Sequence, residues 1–212
     1  MLSDHALPAS FRLESIDLQE GPFLANAARS GACLVFPIDA LLTMGSSHGV
    51  EQGLSWIGSH ACLDSLAVSG TTMQAYVRVP GQAYQIDWPP AQVNSALYAD
   101  CLWHAASATQ GLIRQMAQWS FCVQHHTREQ SLSSWLLHGL AQRPVSALSI
   151  HLAAIPQFLR PELAKSQDHA DEMQALSGYG LAQDRLHIFS RQQLAHQACS
   201  CHEKLKAQSV KT

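Results

Sequence analysis

The sequence predicts an α+β protein in which a β-rich N-terminal part is followed by one long helix and a small helical part. Three observations support this prediction. Short alternating apolar segments fill the chain up to Pro90, a proline-free amphipathic stretch follows, and helical spacing with capping signals returns after Thr127. We therefore expect a β-rich domain at 1–90, a connecting helix at 91–127 and a third unit at 128–212.

The N-terminal strands are identified from residues that alternate between two faces. The clearest segment is MQAYVRV, where Gln74, Tyr76 and Arg78 point away from the face formed by the residues between them. The pairs Pro80-Gly81 and Pro89-Pro90 mark turns. Several short strands separated by turns indicate a β-barrel or sandwich.

The stretch from Ala91 to His126 has apolar residues at steps of three and four, as one helix face requires. At 1.5 Å per residue its 36 residues would span roughly 54 Å, which favours a helix that joins two domains and pairs with a second copy of itself. The alternative is two shorter helices broken near Gly111, because glycine costs about 1 kcal/mol in a helix. The predicted homodimer interface consists of Leu97, Cys101, Ala108, Leu112, Met116 and Trp119.

The rest of the chain predicts further helices and one hairpin. A T-x-x-Q capping box opens a helix at Thr127, and more helical pattern lies within 148–176, interrupted by prolines. The segment LAQDRLHIF predicts a short strand pair. A second capping box at Ser190 opens a last helix that includes Leu194, Ala198 and Leu205.

The composition limits the classes of function. The chain has 212 residues, of which 47% are hydrophobic and 14% charged, and the formal net charge is −3. The low charged fraction suggests that a partner covers some surface, and nothing in the overall charge indicates nucleic-acid binding. The start, MLSDHALPASF, lacks the apolar run of a signal peptide, and no apolar stretch of about 20 residues predicts a membrane span. We expect a cytoplasmic protein whose six cysteines are reduced.

From about Cys33 to Cys201 the chain resembles the cyclic-AMP receptor/fumarate-nitrate regulator (CRP/FNR) superfamily of bacterial transcription factors. LVFP resembles a strand that many branches write as VYFP, and VEQGLSWIGSHACLDSLAVSG with MQAYVRVPGQAYQI resembles their β-roll core. Cys122, His125, SLSSWLL and ACSCHEKL resemble landmarks of one branch. The order and spacing of these motifs carry the resemblance.

The resemblance implies an N-terminal β-roll of the cyclic-nucleotide-binding type, a long dimerisation helix and a C-terminal winged helix-turn-helix. A homodimeric transcription regulator that senses a small molecule in the roll is the implied function. Family members that bind cyclic nucleotides hold the phosphate with an Arg, and no Arg stands between Gly70 and Ala75 here, so we expect no cyclic AMP binding. The candidate pocket residues implied by the resemblance are Gly58, Ser59, His60, Thr72 and Gln74.

The helix-turn-helix segment departs from the family pattern. Between LRPELA and LSGYGLA the stretch KSQDHADEMQA is short, has no glycine for the turn and is net acidic, whereas a DNA-reading helix should be basic. We therefore expect a degenerate motif with weak DNA binding, or a relative that acts through protein contacts instead. The DNA-binding candidates are Arg160, Lys165, Gln167, His169, Gln174 and Arg185.

Metal and catalytic chemistry find little support in the sequence. The first cysteine is Cys33, too late for the N-terminal iron–sulfur cluster of some relatives. In one continuous helix Cys199 and Cys201 would point roughly 200° apart, so no zinc site is expected among them and the neighbouring histidines. Pairs such as Cys122 and His125 lack a third catalytic group. We expect no enzyme, no cofactor and no metal.

Overall fold

The computed structural model describes residues 13–23, 32–46, 53–65, 73–88, 95–143, 148–160 and 178–209. It confirms the predicted α+β class, with antiparallel sheets, one long helix and a smaller C-terminal part. Among the described helices none has the length and apolar character that crossing a bilayer requires.

The N-terminal part is a roll of two four-stranded antiparallel sheets with strand orders β1-β8-β3-β6 and β2-β7-β4-β5. Its interior is filled by apolar side chains such as Val35, Leu42, Ile57 and Val77, all almost fully buried. The strands are β1 Leu13–Leu18, β2 Gly21–Pro22, β3 Cys33–Pro37, β4 Leu41–Ser46, β5 Gly53–Ile57, β6 Leu63–Asp64, β7 Met73–Val79 and β8 Gly81–Asp87.

The predicted alternation in β7 holds for Ala75 and Val77, which face the roll interior. The opposite face is not exposed, however, because Tyr76 and Arg78 are both only 6% accessible. Arg78 Nε donates to Thr43 Oγ1 at 2.8 Å, and the guanidinium lies 4.8 Å from the Tyr76 ring centroid. Hydrogen bonding and ring contact therefore accommodate a cation in a strand that is covered on both faces.

The long helix is continuous. Helix α1 spans Ser95–His125, 31 residues, and Gly111 lies within it without a break. The alternative of two shorter helices is therefore wrong. A Cβ at Gly111 would meet nothing within 4 Å, so close packing does not require glycine at this position.

The predicted dimer seam of α1 needs correction, because most of that face packs inside its own chain. Leu97 and Cys101 are buried against Leu34 and Cys62 of the roll, and Trp119 is buried in the C-terminal core. Ala108 and Leu112 are partly buried against the roll, and of the six predicted residues Met116 is the exposed one.

The neighbouring stripe of α1, displaced by one residue or about 100°, is exposed instead. Leu102 is 51%, Ile113 61% and Met116 45% accessible, and exposed Ala106 and Thr109 lie between them. We call these five residues the outer stripe of α1. Their steps of four, three, four and three follow heptad spacing.

The C-terminal part packs helices around a three-stranded antiparallel sheet of order β10-β11-β9. Both predicted capping boxes mark helix starts, with Thr127 and Ser190 as N-caps. The hairpin prediction is also confirmed, and its two turn residues, Gln183 and Asp184, have the positive φ that a tight turn needs. The elements are α2 Arg128–Ala141, β9 Ser149–His151, β10 Tyr179–Ala182, β11 Arg185–Ile188, α3 Arg191–Gln197 and α4 Cys201–Ser209.

Two C-terminal predictions are corrected. Within 148–160 the structure has strand β9 followed by two short 3-10 helices in place of the expected helical pattern. The expected last helix is two helices, because Ala198 is extended with ψ 146 and ends α3. The Cys199 carbonyl accepts from Ser134 Oγ at 3.1 Å and lies 2.8 Å from His202 Nδ1, contacts that replace helical hydrogen bonds at this break. The central part of the predicted helix-turn-helix, 161–177, lies outside the described residues.

Candidate functional site

The roll is joined to the C-terminal part through Trp56 of β5. Its indole is fully buried, stacks on Trp135 of α2 with ring centroids 4.3 Å apart, and donates from Nε1 to the Trp135 carbonyl at 3.0 Å. A Cβ added at Gly139 would lie 2.9 Å from the indole, so glycine is needed there to admit the ring. Trp56 is therefore one of the residues that hold α2 against the roll.

The side chain of Gln115 on helix α1 binds the backbone of Trp56. Gln115 Oε1 accepts from the Trp56 N–H at 2.8 Å, and Gln115 Nε2 donates to the Trp56 carbonyl at 2.9 Å. The side-chain amide therefore satisfies both backbone groups of one β5 residue. Gln115 is itself buried, so these hydrogen bonds are shielded from water.

A cavity of about 320 Å³ lies beside this contact, between the roll and helices α1, α2 and α4. Its size suits a small ligand. Apolar residues such as Phe36 and Leu112 contribute to its wall. The side chains that bring charge or hydrogen-bonding capacity to it include His60, His104, Arg114, Gln115, His138 and Gln142.

His138 is the most unusual of these residues. It is 2% accessible, its ring lies edge-on to Trp119 at 5.9 Å, and neither ring nitrogen has a hydrogen-bond partner among the described residues. Burial, with a smaller contribution from His202, lowers the pKa of His138 from 6.5 to about 4. A neutral imidazole therefore lines the cavity and can offer a donor or an acceptor to a ligand.

The predicted pocket residues are only partly brought together. Ser59 and His60 line the cavity, and buried Gly58 lies beside it, close to the Gln142 carbonyl. Ser59 donates to that carbonyl from its N–H at 2.9 Å and from Oγ at 3.1 Å. Gln74 is elsewhere, on β7, where its Oε1 accepts from the Tyr76 hydroxyl, and Thr72 lies outside the described residues.

The two DNA-binding candidates that the structure describes are engaged within the chain. Arg160 donates to the carbonyls of Ile155 and Ala153, both at 3.0 Å. Arg185 forms an ion pair with Glu20 at 3.1 Å and also donates to Ser149. Lys165, Gln167, His169 and Gln174 lie outside the described residues.

Sequence reasoning missed His138 and a cluster of three buried thiols, Cys122, Cys199 and Cys201, at the end of α1. His138 was hidden inside a helix whose buried positions, 131–140, have no simple periodicity. The cysteine spacing gave no signal because Cys122 lies 77 residues from Cys199 and the break between α3 and α4 was not predicted.

No protein-family model and no curated protein sequence matches this chain. Solved structures do. A CRP/FNR-family transcriptional regulator from Thermus thermophilus is 11% identical, with TM-score 0.54, covering 87% of this chain and 97% of the regulator. A putative regulator of the same family from Eubacterium rectale is 12% identical, with TM-score 0.56 and coverages of 87% and 89%. FixK2 from Bradyrhizobium japonicum is 8% identical, with TM-score 0.54 and coverages of 89% and 98%. The chain therefore has the fold of the CRP/FNR family of transcriptional regulators, in a sequence that has diverged far from these structures.

Proposed function

We propose that this protein is a cytoplasmic homodimeric regulator of the CRP/FNR type that senses a small molecule other than cyclic AMP and binds DNA weakly. The cavity beside Trp56 is the observation that carries this proposal. It is bounded by the roll, α1, α2 and α4 together, so a ligand there contacts the roll, the long helix and two helices of the C-terminal part at once.

The route from the cavity to α2 consists of short polar contacts. Ser59, at the cavity wall, holds the Gln142 carbonyl at the end of α2, and Arg143 Nε donates to the Asp39 carbonyl of the roll at 2.8 Å. A ligand that binds one arrangement of these groups better than another shifts the equilibrium between them. Cyclic nucleotides are not the expected ligand, since no Arg stands between Gly70 and Ala75 to bind the cyclic phosphate.

The dimer is proposed to form through the outer stripe of α1. Its apolar side chains are exposed along a single face, and two copies of this stripe could pack as a parallel coiled coil. We expect the chain to have twice its 23.1 kDa mass in light scattering at micromolar concentration. A monomer at that concentration would contradict this part of the proposal.

Ile113→Asp is expected to convert the dimer to a monomer, because it would bury a carboxylate between the two outer stripes of α1. The matched control is Leu13→Asp, which changes a 48% accessible leucine on β1 and leaves the stripe intact. Equal dimerisation of both variants would place the interface elsewhere.

DNA affinity is expected to be low. Fluorescence anisotropy with a labelled duplex at physiological salt should give a dissociation constant in the non-specific range, about 10⁻⁴–10⁻⁶ M. Arg185→Gln should leave the salt dependence of the DNA affinity unchanged, because the Arg185 guanidinium is held by Glu20. Loss of a phosphate contact would instead lower the slope of log K against log salt concentration by about 1. If selection from fragmented genomic DNA enriches a fragment that binds with a nanomolar dissociation constant, the protein is an ordinary operator-binding regulator instead.

A second candidate function is a protein-binding relative that has lost DNA recognition. The observation favouring it is that the guanidinium groups of Arg160 and Arg185 both bind within the chain, while the segment at 165–175 is net acidic. An intact dimer that enriches no genomic fragment would favour this function over the regulator.

A further inference from the structure

Three buried thiols from distant parts of the sequence meet where α1 ends and α4 begins. The sulfur atoms of Cys122, Cys199 and Cys201 all lie within 4.8 Å of one another, and those of Cys122 and Cys199 are 3.4 Å apart. Their residues are 0%, 7% and 0% accessible. No function described above uses them.

Each of the three sulfurs has its own polar neighbour. The Cys122 thiol donates to Ser131 Oγ at 3.3 Å, Ser134 Oγ lies 3.1 Å from Cys199 Sγ, and Gln118 Nε2 donates to Cys201 Sγ at 3.2 Å. Groups that can donate to sulfur stabilise a thiolate, the form in which cysteine binds metal ions.

We propose that Cys122, Cys199 and Cys201 form a three-thiolate site for a soft, thiophilic metal ion, with monovalent copper as the ion that fits best. Three sulfurs about 2.3 Å from a common ion are about 4 Å apart, which lies between the 3.4 Å that separates Cys122 from Cys199 and the 4.8 Å limit within which all three sulfurs lie. Thiolates select Cu(I) and Zn(II) among biological metals. Within the described ranges no histidine or carboxylate joins the three sulfurs, and structural zinc sites almost always take four protein ligands.

A surface depression lies close to the site, lined by Arg114, Ala117, Gln118, Phe121 and Lys204. Its Gln118 also donates to Cys201 Sγ, so this side chain connects the depression with the thiol cluster. A bound ion would fix α4 to the end of α1.

The test begins with the full-length chain, reduced and metal-free, titrated with Cu(I) under anaerobic conditions against a chromophoric competitor. We expect one ion per chain and an X-ray absorption spectrum with three sulfur neighbours at about 2.2–2.3 Å. Failure to take up either Cu(I) or Zn(II) at micromolar free concentration would overturn the proposal, and so would an ion with one sulfur neighbour or none.

Variants locate the site. Cys199→Ser and Cys122→Ser should weaken Cu(I) binding about 100-fold or more, and Ser134→Ala, which keeps all three sulfurs, about 10-fold. The matched control is Cys62→Ser, a buried cysteine in the roll whose sulfur donates to the His104 carbonyl, and it should bind as the unmodified chain does. If a serine variant fails to fold by circular dichroism, the sulfur count of the unmodified chain decides alone.

Zinc and oxidation are the two comparison arms. Uptake of one Zn(II) per chain that the same variants abolish supports the three-thiolate site, and the more tightly held ion identifies its occupant. A reduced chain that binds neither ion but joins Cys122 to Cys199 in a disulfide when treated with a peroxide would overturn the proposal and make the cluster a redox pair.

Discussion

Replacing Trp56 with alanine is expected to lower the free energy of unfolding by about 3–5 kcal/mol, the range for truncating a buried aromatic residue. The indole is fully buried against Trp135, and its removal leaves a cavity at the joint between the roll and the C-terminal part. It also leaves the Trp135 carbonyl without its 3.0 Å hydrogen bond. Urea denaturation followed by far-UV circular dichroism measures the loss.

Two further variants sharpen this test. Trp56→Phe keeps a ring but removes the Nε1–H donor, and we expect it to cost about 0.5–1.5 kcal/mol, the net contribution of one intramolecular hydrogen bond. Phe189→Ala is the control, because that ring is 70% accessible and surface substitutions usually change stability by about 0.5 kcal/mol or less. A loss below about 1 kcal/mol for Trp56→Ala would show that the joint does not hold the two parts together.

Acidification is expected to destabilise the protein through His138. Its pKa is lowered from 6.5 in the unfolded chain to about 4 in the folded one, so the unfolded state binds more protons between these values. The stability contributed by neutral His138 is complete above about pH 6.5 and falls as the pH drops towards 4. Each pKa unit is about 1.36 kcal/mol, which gives a loss of about 2 kcal/mol at pH 5 and about 3 kcal/mol at pH 4.

Urea midpoints at pH 7.5, 6.5 and 5 for the unmodified chain and for His138→Leu measure this effect. Between pH 7.5 and pH 5 the free energy of unfolding of the leucine variant should fall by about 2 kcal/mol less than that of the unmodified chain. It should be no less stable at pH 7.5, since both ring nitrogens of His138 lack partners among the described residues. His60→Leu is the matched control because that side chain is exposed on the same cavity. Identical pH profiles for all three proteins would show that His138 is solvated in solution.

The elements that were predictable from sequence depend on local signals. The 31-residue helix α1, the two capping boxes and the 179–188 hairpin follow from periodicity, side-chain caps and turn residues within a few positions of each other. The orientation of α1 did not follow. Leu97, Cys101 and Trp119 on one face and Leu102 and Ile113 on the outer stripe are all apolar. The packing of the roll and of the C-terminal core on α1 decides which face is buried.

The candidate site was less predictable, because long-range contacts assemble it. Ser59 and His60 were identified through a resemblance to relatives, but the cavity they share with His138 depends on how α2 packs on Trp56. The thiol cluster depends on a helix break of three residues at 198–200, which no proline or glycine marks. Side-chain hydrogen bonds to the Cys199 carbonyl produce that break, and these partners lie far away in the sequence or across the break.

The contact between Gln115 and the backbone of Trp56 lies at the open edge of a sheet. Strand β5 is the last in the order β2-β7-β4-β5, so one side of it has no strand neighbour among the described residues. Open strand edges template pairing with other chains, and proteins protect them by covering them. Here a glutamine amide occupies the N–H and the carbonyl through which a foreign strand would bind. At this residue helix α1 therefore takes the place of a neighbouring strand and covers the open edge of the sheet.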